Sequence, residues 1–441
     1  MKRLFALLLA LVMLPFCASA DFAPIPDVFT VVYDVDTRLI NGEQSFVSKE
    51  YVTTAQPAVD AALRTIADEY DTRYSPTLPK QKLPKRNSRL DINVLHSVTG
   101  QSLVSFQIIA RTTVSREVQS VEFTCMTYDM ETGSEITLAD LFPTDSNAWP
   151  ILSAAVRESL AAYFPHLDAD ENVLHALCSR EAIEAAEFML GPVCLSLHYY
   201  ASDLYPGQKT LMRVSVPYAA LAGTMTEYGV RQTDNSMYRF VALTYDDGPA
   251  YTTTRALLTA LRHGGARATF FLTGDRIAEY ADIAMQENDE NHSLQSHNMK
   301  HINSEEYKPE RLQAHAQSFN EALSSITGTL PIMMRAPYGK WQPFVKAGIL
   351  LPQVTWDVDT KDWTGKTPKG VLRLVEKYTV NGSVILMHDI CDNVAASTEM
   401  TLAWLRSQGY LCVPVEELFL HFGQPLETGK RYYSAAPSSA K

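Results

Sequence analysis

The sequence predicts two unlike halves: an α+β half, then an α/β half whose mainly parallel sheet is closed or nearly closed. Three observations carry this. In the first half, strand-like alternation at residues 29–35, 103–109 and 121–128 is interrupted by two helical patterns. From residue 239 onward, short apolar strands alternate with helical patterns. Between them lies a polar stretch, Arg231-Gln232-Thr233-Asp234-Asn235-Ser236, of the kind that connects domains. Strands separated by helices need crossover connections, and crossovers make neighbouring strands parallel.

The chain begins with a basic Met1-Lys2-Arg3, an apolar run from Leu4 to Phe16 and a small-residue Ala18-Ser19-Ala20 before Asp21. That order reads as a secretory signal peptide over residues 1–20, because the apolar run falls short of the roughly 20 residues a bilayer requires. Phe16 stands where a lipoprotein signal wants a small residue before Cys17, which argues against lipidation. In the expected α+β region, 21–228, Phe29–Val35, Leu103–Ile109 and Val121–Tyr128 alternate as strands. Gln56–Tyr70 and Trp149–Tyr163 have helical spacing, and the Pro/Lys/Arg-rich Pro76–Arg89 reads as an exposed loop. A linker is expected at 229–237, the α/β domain at 238–425 and a tail at 426–441. Within the α/β region the expected strands are Arg239–Tyr245, Ala268–Leu272, Val354–Val358, Ser383–His388 and Leu411–Val415. The expected helices are Thr252–His263, Pro309–Ile326, Lys369–Tyr378 and Thr398–Gln408.

Composition narrows the partners. The 441 residues carry 38 Lys and Arg against 50 Asp and Glu, a net charge of −12, which becomes −14 once Lys2 and Arg3 leave with the signal. Such a chain does not present the basic surface that phosphate neutralisation requires, so nucleic acid is excluded as the main partner. Five cysteines follow residue 20, and none forms a C-x-x-C knuckle. Cys178 with Cys194, or Cys391 with Cys412, could form disulfides; buried free thiols fit equally well.

The polar residues that stand out sit where parallel α/β folds place function, at the carboxyl ends of strands. Asp246 and Asp247 follow the strand ending at Tyr245, and adjacent carboxylates repel unless a cation or proton separates their roles. His297 and His301 are spaced to share one side of a helical turn and bind one metal, with Asp247 as a third ligand and an open position left over. Arg335-Ala336-Pro337-Tyr338-Gly339 presents a guanidinium on a stiff turn, Asp359-Thr360-Lys361-Asp362-Trp363 follows a strand, and His388 ends another. Each has an ordinary structural explanation by itself. All of them together at strand ends do not.

In this order, Thr244-Tyr245-Asp246-Asp247-Gly248-Pro249, His297-x-x-x-His301, Arg335-x-Pro337-Tyr338-Gly339, Asp359-x-x-Asp362-Trp363 and Leu386-x-His388 resemble the five motifs of polysaccharide deacetylases. These are the NodB-homology domains of carbohydrate esterase family four, and the resemblance covers roughly residues 238–420. It implies a deformed (β/α) barrel that uses a divalent metal, usually zinc, to remove acetyl groups from N-acetylated sugars. Carried over residue by residue, Asp247, His297 and His301 match metal ligands, Asp246 the general base and His388 the general acid. Arg335 matches the residue orienting the base, and the Tyr338 N–H the oxyanion donor. Asp362 matches the group tuning His388, with Asp359 as a rival. Pro337, Trp363 and Leu386 match substrate-binding positions. Tyr245 replaces the more usual Phe, Asn298 stands where Ser or Thr is favoured, and Ile302 where Pro is common.

Tyr128-Asp129-Met130-Glu131-Thr132-Gly133, Leu138–Phe142, Tyr205-Pro206-Gly207-Gln208 and Val214–Leu221 resemble a module appended to some peptidoglycan deacetylases and found in lysozyme-sensing anti-sigma factors. That resemblance implies an extracytoplasmic enzyme of the bacterial cell envelope acting on peptidoglycan glycan strands. It also implies a wall-glycan or protein ligand, or a spacer role, for the first domain. The alternatives are a chitin or xylan deacetylase, or a catalytically silent glycan- or lysozyme-binding sensor.

Overall fold

The computed structural model describes residues 22, 24–40, 45–79 and 88–435. The expected signal peptide, part of the Pro76–Arg89 loop and the end of the tail lie outside the described residues. Among the described residues no helix is long and apolar enough to cross a membrane.

The first half builds two sheets. Six strands run in the order β1 (Val32–Ile40), β2 (Ser45–Thr53), β3 (Ser88–Thr99), β4 (Leu103–Val114), β5 (Glu117–Asp129) and β6 (Ser134–Glu135). All pairs are antiparallel except β2–β3. Helix Pro57–Tyr74 lays Val59, Leu63, Ala67 and Tyr70, a 3–4 residue spacing, into the core shared with that sheet. A second, antiparallel sheet of β7 (Glu187–Leu190), β8 (Cys194–Tyr200) and β9 (Leu211–Pro217) packs on helix Ala148–Ala162 through Leu152, Val156 and Leu160.

The second half is a parallel barrel with an irregular wall. β10 (Arg239–Asp246) is flanked by β11 (Thr269–Leu272), then β12 (Ser293–Ser296), on one side, and by β15 (Val384–His388), then β14 (Val358–Asp359), on the other. Single parallel bridges Ser296↔Met334 and Met334↔Gln353 carry the wall from β12 to β13 (Gln353–Val354). The chain from β13 runs directly into β14, so the ring closes. β16 (Tyr410–Cys412) pairs with the first residues of β10, and β17 (Arg431–Tyr432) pairs with β13. Two-residue periodicity sorts the β10 side chains. Val241, Leu243 and Tyr245 pack outward with Leu257, Leu258 and Leu261 of helix Thr253–His263. Phe240 and Ala242 join Phe271, Val354 and Val384 in the interior core. That alternation leaves Thr244 and Asp246 facing the barrel's axis at its carboxyl end.

Several expectations are corrected. The expected strand Val354–Val358 is broken into β13 and β14, because the carbonyls of Val354 and Thr355 accept from the Arg335 guanidinium instead of from a neighbouring strand. Residues 229–237 are no exposed linker: Glu227–Thr233 is helical, and Gln232 and Asn235 are buried. Asn235 accepts from the Gly100 N–H and donates to the Pro192 carbonyl. The tail's described part is a wall element, with β17 paired and Ala435 buried. The last barrel strand ends at Cys412, and beyond Pro414 a helix, Val415–His421, begins. At the other end of the chain, Phe29 closes a 3₁₀ turn and the first strand starts at Val32. All five cysteines after residue 20 are free thiols.

The halves are locked together by buried ion pairs. Arg262 bridges Glu50 of β2 at 2.9 Å and Glu290 at 2.8 Å, and Arg111 of β4 meets Asp289 at 2.6 Å.

Candidate metal and catalytic centre

Asp246 is the last residue of β10 and pairs in parallel register with His388, the last residue of β15. Asp247 turns the chain out of the barrel in a left-handed conformation, φ +79°, which a non-glycine residue adopts only when its surroundings enforce it. The enforcement is visible at Gly248. A Cβ there would lie 1.8 Å from Asp389 Oδ2, so the turn closes only with glycine.

His297 and His301 sit on the loop that leaves β12. The expected helical turn is absent, because Asn298 is itself left-handed at φ +70°. Backbone bonds hold the loop instead: His297 N–H to the Leu272 carbonyl at 2.8 Å, and Gly274 N–H to the Asn298 carbonyl at 3.1 Å. The Asn298 amide adds a bond to the Lys300 carbonyl at 2.8 Å. Asn, which tolerates the left-handed region, thus does the local bracing.

Asp247, His297 and His301 each offer one ligand atom within 4.8 Å of the others. The His297 and His301 Nε2 atoms stand 3.4 and 3.6 Å from Asp247 Oδ1. That oxygen is buried and has no hydrogen-bond partner among the described residues. An orphaned carboxylate oxygen facing two imidazole nitrogens fits a cation held between them. His297 Nδ1 lies 2.6 Å from the Arg335 carbonyl and must donate to it, which leaves Nε2 with its lone pair free. Burial pushes the Asp247 carboxyl up, but the imidazoles outweigh it and hold it at about 2. Burial also lowers His301 below its ordinary value. Both groups therefore stand near neutrality in the form a metal ion takes.

Arg335 is fully buried and organises the interior. Its Nη1 donates to Asp246 Oδ1 at 2.7 Å and to Thr244 Oγ at 2.9 Å, and its plane lies 4.1 Å from the Phe271 ring centre. Asp246 is thereby fixed beside the triad, its Oδ2 4.0 Å from His297 Nε2. His388 is gripped twice by Asp362: its Nδ1 at 2.9 Å and its backbone N–H at 2.7 Å. Asp359 instead meets Lys361, so Asp362 is the carboxylate that bonds His388. Burial lowers the imidazole, but Asp362 and the charges of Asp246 and Asp247 overcome it and raise His388 to about 9.

The remaining expected residues divide by exposure. Tyr338, left-handed at φ +58°, is open to solvent and sets its ring edge-on against His301 at 4.5 Å. Trp363 is 60 % exposed, whereas Leu386 and Pro337 are buried. Sequence reasoning missed Asp389, whose carboxyl accepts from Thr254 Oγ at 3.0 Å and fills the space over Gly248. Burial, reinforced by Asp247 and Asp246, raises it to about 8 despite the Thr254 bond. Its signal was present as an acid directly after the strand-end His388.

A family model described as polysaccharide deacetylase matches residues 234–348. A peptidoglycan-N-acetylglucosamine deacetylase, PgdA, of Listeria monocytogenes is 34% identical over 198 residues, 45% of this chain and 42% of that protein. The peptidoglycan-N-acetylmuramic acid deacetylase PdaC of Bacillus subtilis is 27% identical over 187 residues, 42% of this chain and 40% of its own length. A chitooligosaccharide deacetylase of Azorhizobium caulinodans is 31% identical over 190 residues, which are 40% of this chain and 88% of that protein. The chain belongs to the polysaccharide deacetylase family. It spans less than half the length of the Listeria and Bacillus relatives. A solved structure titled as T48 deacetylase with substrate is 32% identical, covers 45% of this chain and 98% of its own, and has a TM-score of 0.43.

Proposed function

We propose that the protein is a metal-dependent N-deacetylase that hydrolyses acetamido groups of peptidoglycan glycan strands in the cell envelope. One observation carries the reading. The Asp247–His297–His301 triad, the Asp246–Arg335 pair and the His388–Asp362 pair all open at one end of the same barrel.

Two imidazoles and a carboxylate with a position left open are the donor set of a hydrolytic zinc site, and zinc is the ion we assign. When bound, it supplies Lewis-acid polarisation of the acetamido carbonyl and a water acidic enough to react near neutral pH. Asp246 takes the proton of the attacking water, and Arg335, bonded to its Oδ1, holds that carboxylate in place. The Tyr338 N–H donates to the carbonyl oxygen as charge develops there. His388, kept protonated by Asp362, delivers a proton to the sugar nitrogen as the C–N bond breaks, so acetate and a free amine leave. Pro337, Trp363 and Leu386 shape the acetyl and sugar contacts.

The names of the Listeria and Bacillus relatives support peptidoglycan as substrate. The basic, apolar, small-residue order of residues 1–20 supports export. The test is acetate release from purified peptidoglycan by the full chain, before and after dialysis against a chelator, with the deacetylated sugar mapped by mass spectrometry. Metal-dependent acetate from peptidoglycan is expected. Release from chitin or acetylxylan alone, or none from any polymer, would overturn the assignment.

A further inference from the structure

The two loops that carry the metal ligands share one support. Thr273 N–H donates to the Gly248 carbonyl at 3.0 Å, in the turn that holds Asp247. The next two amides reach the other loop, between His297 and His301. Gly274 N–H donates to the Asn298 carbonyl at 3.1 Å, and Asp275 N–H to the Met299 carbonyl at 3.0 Å. All three amides sit at the start of one short helix, Gly274–Glu279. The approach is close, since a Cβ at Gly274 would clash with the Met299 sulfur. The start of this helix therefore ties the Asp247 turn to the histidine loop.

The other end of the helix is held from outside the barrel. In the first half, β4 and β5 are joined by a tight turn, Ser115-Arg116, with both residues left-handed at φ +53° and +69°. Such a turn matches the twist of a hairpin, but it ordinarily employs Asn and Gly, because a Cβ disfavours that conformation. Here the tip brings a side chain that glycine could not. Arg116 Nη2 donates to the Glu279 carbonyl at 2.6 Å, one of the last carbonyls that a helix leaves without an internal donor. Its guanidinium also meets Asp282 Oδ1 at 3.3 Å and lies 4.8 Å from the Tyr280 ring centre and 5.3 Å from that of Tyr251. Tyr251 stands just beyond the Gly248-Pro249 turn. One side chain of the first half thus touches both the end of the helix and the stretch that leaves Asp247.

We propose that Arg116 is a positioning residue for the metal centre, and that the first half acts through it as a brace holding the Asp247 turn and the His297–His301 loop in register for the ion. This rests on the metal-dependent reading above. Ile277 fixes the middle of the helix in the barrel's outer core, so removing Arg116 loosens the end of the helix without unfolding the domain. Partners that orient metal ligands from outside the ligand set tune how tightly the ion is held, and Arg116 does so through the helix.

The test is the zinc affinity of the full chain, measured by competition with a chromophoric chelator. Arg116→Gly suits the left-handed turn, so the hairpin is kept while the side chain is removed. Its zinc dissociation constant should rise about tenfold, the lower end of what outer partners of metal ligands contribute, with little change in melting temperature. Arg116→Lys, which keeps a cation for the carbonyl and the rings, should recover part of the loss. Asn93→Ala is the control, because it breaks a bond to Glu290 across the same seam that does not reach the helix. It should lower the melting temperature and leave zinc affinity unchanged. Unaltered zinc affinity in Arg116→Gly would overturn the proposal, and so would an equal loss in Asn93→Ala. A starting chain that binds no zinc would instead refute the metal-dependent reading, and the brace with it.

Discussion

The Arg262 cluster in the seam and the mouth of the barrel both bury charged side chains, but they finish them differently. In the seam, Arg262 is closed by Glu50 and Glu290, which also takes bonds from Asn93 and Gln286. At the mouth, Asp247 Oδ1 and Asp389 Oδ1 are buried with no partner among the described residues. A fully satisfied buried network fixes geometry, whereas an unsatisfied one is held in readiness for something that arrives later. The same residue types therefore serve docking in one place and chemistry in the other.

Four substitutions sharpen that contrast, from the largest expected effect to the smallest. Asp246→Asn removes the proton acceptor while leaving all three metal ligands. Acetate release should fall by about 10²–10⁴-fold, the range of general-base catalysis, with zinc content by elemental analysis unchanged. Arg262→Ala strands two buried carboxylates in the seam. Urea unfolding should show a loss of about 3–5 kcal/mol, as for other broken buried pairs, without a specific loss of metal.

Asp362→Asn tests the acid. A group raised to about 9 stays protonated through neutrality and loses its proton as pH climbs through that value, so activity should fall on the alkaline side. Without the Asp362 charge the imidazole returns toward its ordinary value of about 6.5, and the alkaline limb of the rate profile should move to lower pH. A limb that stays in place would detach Asp362 from His388. The exposed pair Arg157–Glu171 is the control: Arg157→Ala should change stability by no more than about 0.5 kcal/mol.

Legibility followed locality. The helices over 253–263, 309–327 and 368–378 were visible because their apolar faces recur at helical spacing, and the site residues because each sits at a strand end. β3 was missed although Leu90, Ile92 and Val94 alternate, since its start is hidden behind the Pro/Lys/Arg-rich stretch. The break at 355–357 was not legible at all. It exists because Arg335, far away in sequence, claims two carbonyls that a strand would have used. The choice between Asp359 and Asp362 likewise needed the fold, as both follow the same strand at short range. Asp389 was overlooked for the opposite reason: a lone acid beside His388 carries no spacing pattern, and its function in closing the Gly248 turn appears only in three dimensions.

The account stands or falls on the cation. Crystals of the full chain exposed to zinc and measured on either side of the zinc absorption edge give the most direct reading. An anomalous peak shared by Asp247 Oδ1, His297 Nε2 and His301 Nε2, and lost in His301→Ala, is the expected result. Zinc absent from that position at saturating concentration, or bound elsewhere while acetate is still released, would contradict it.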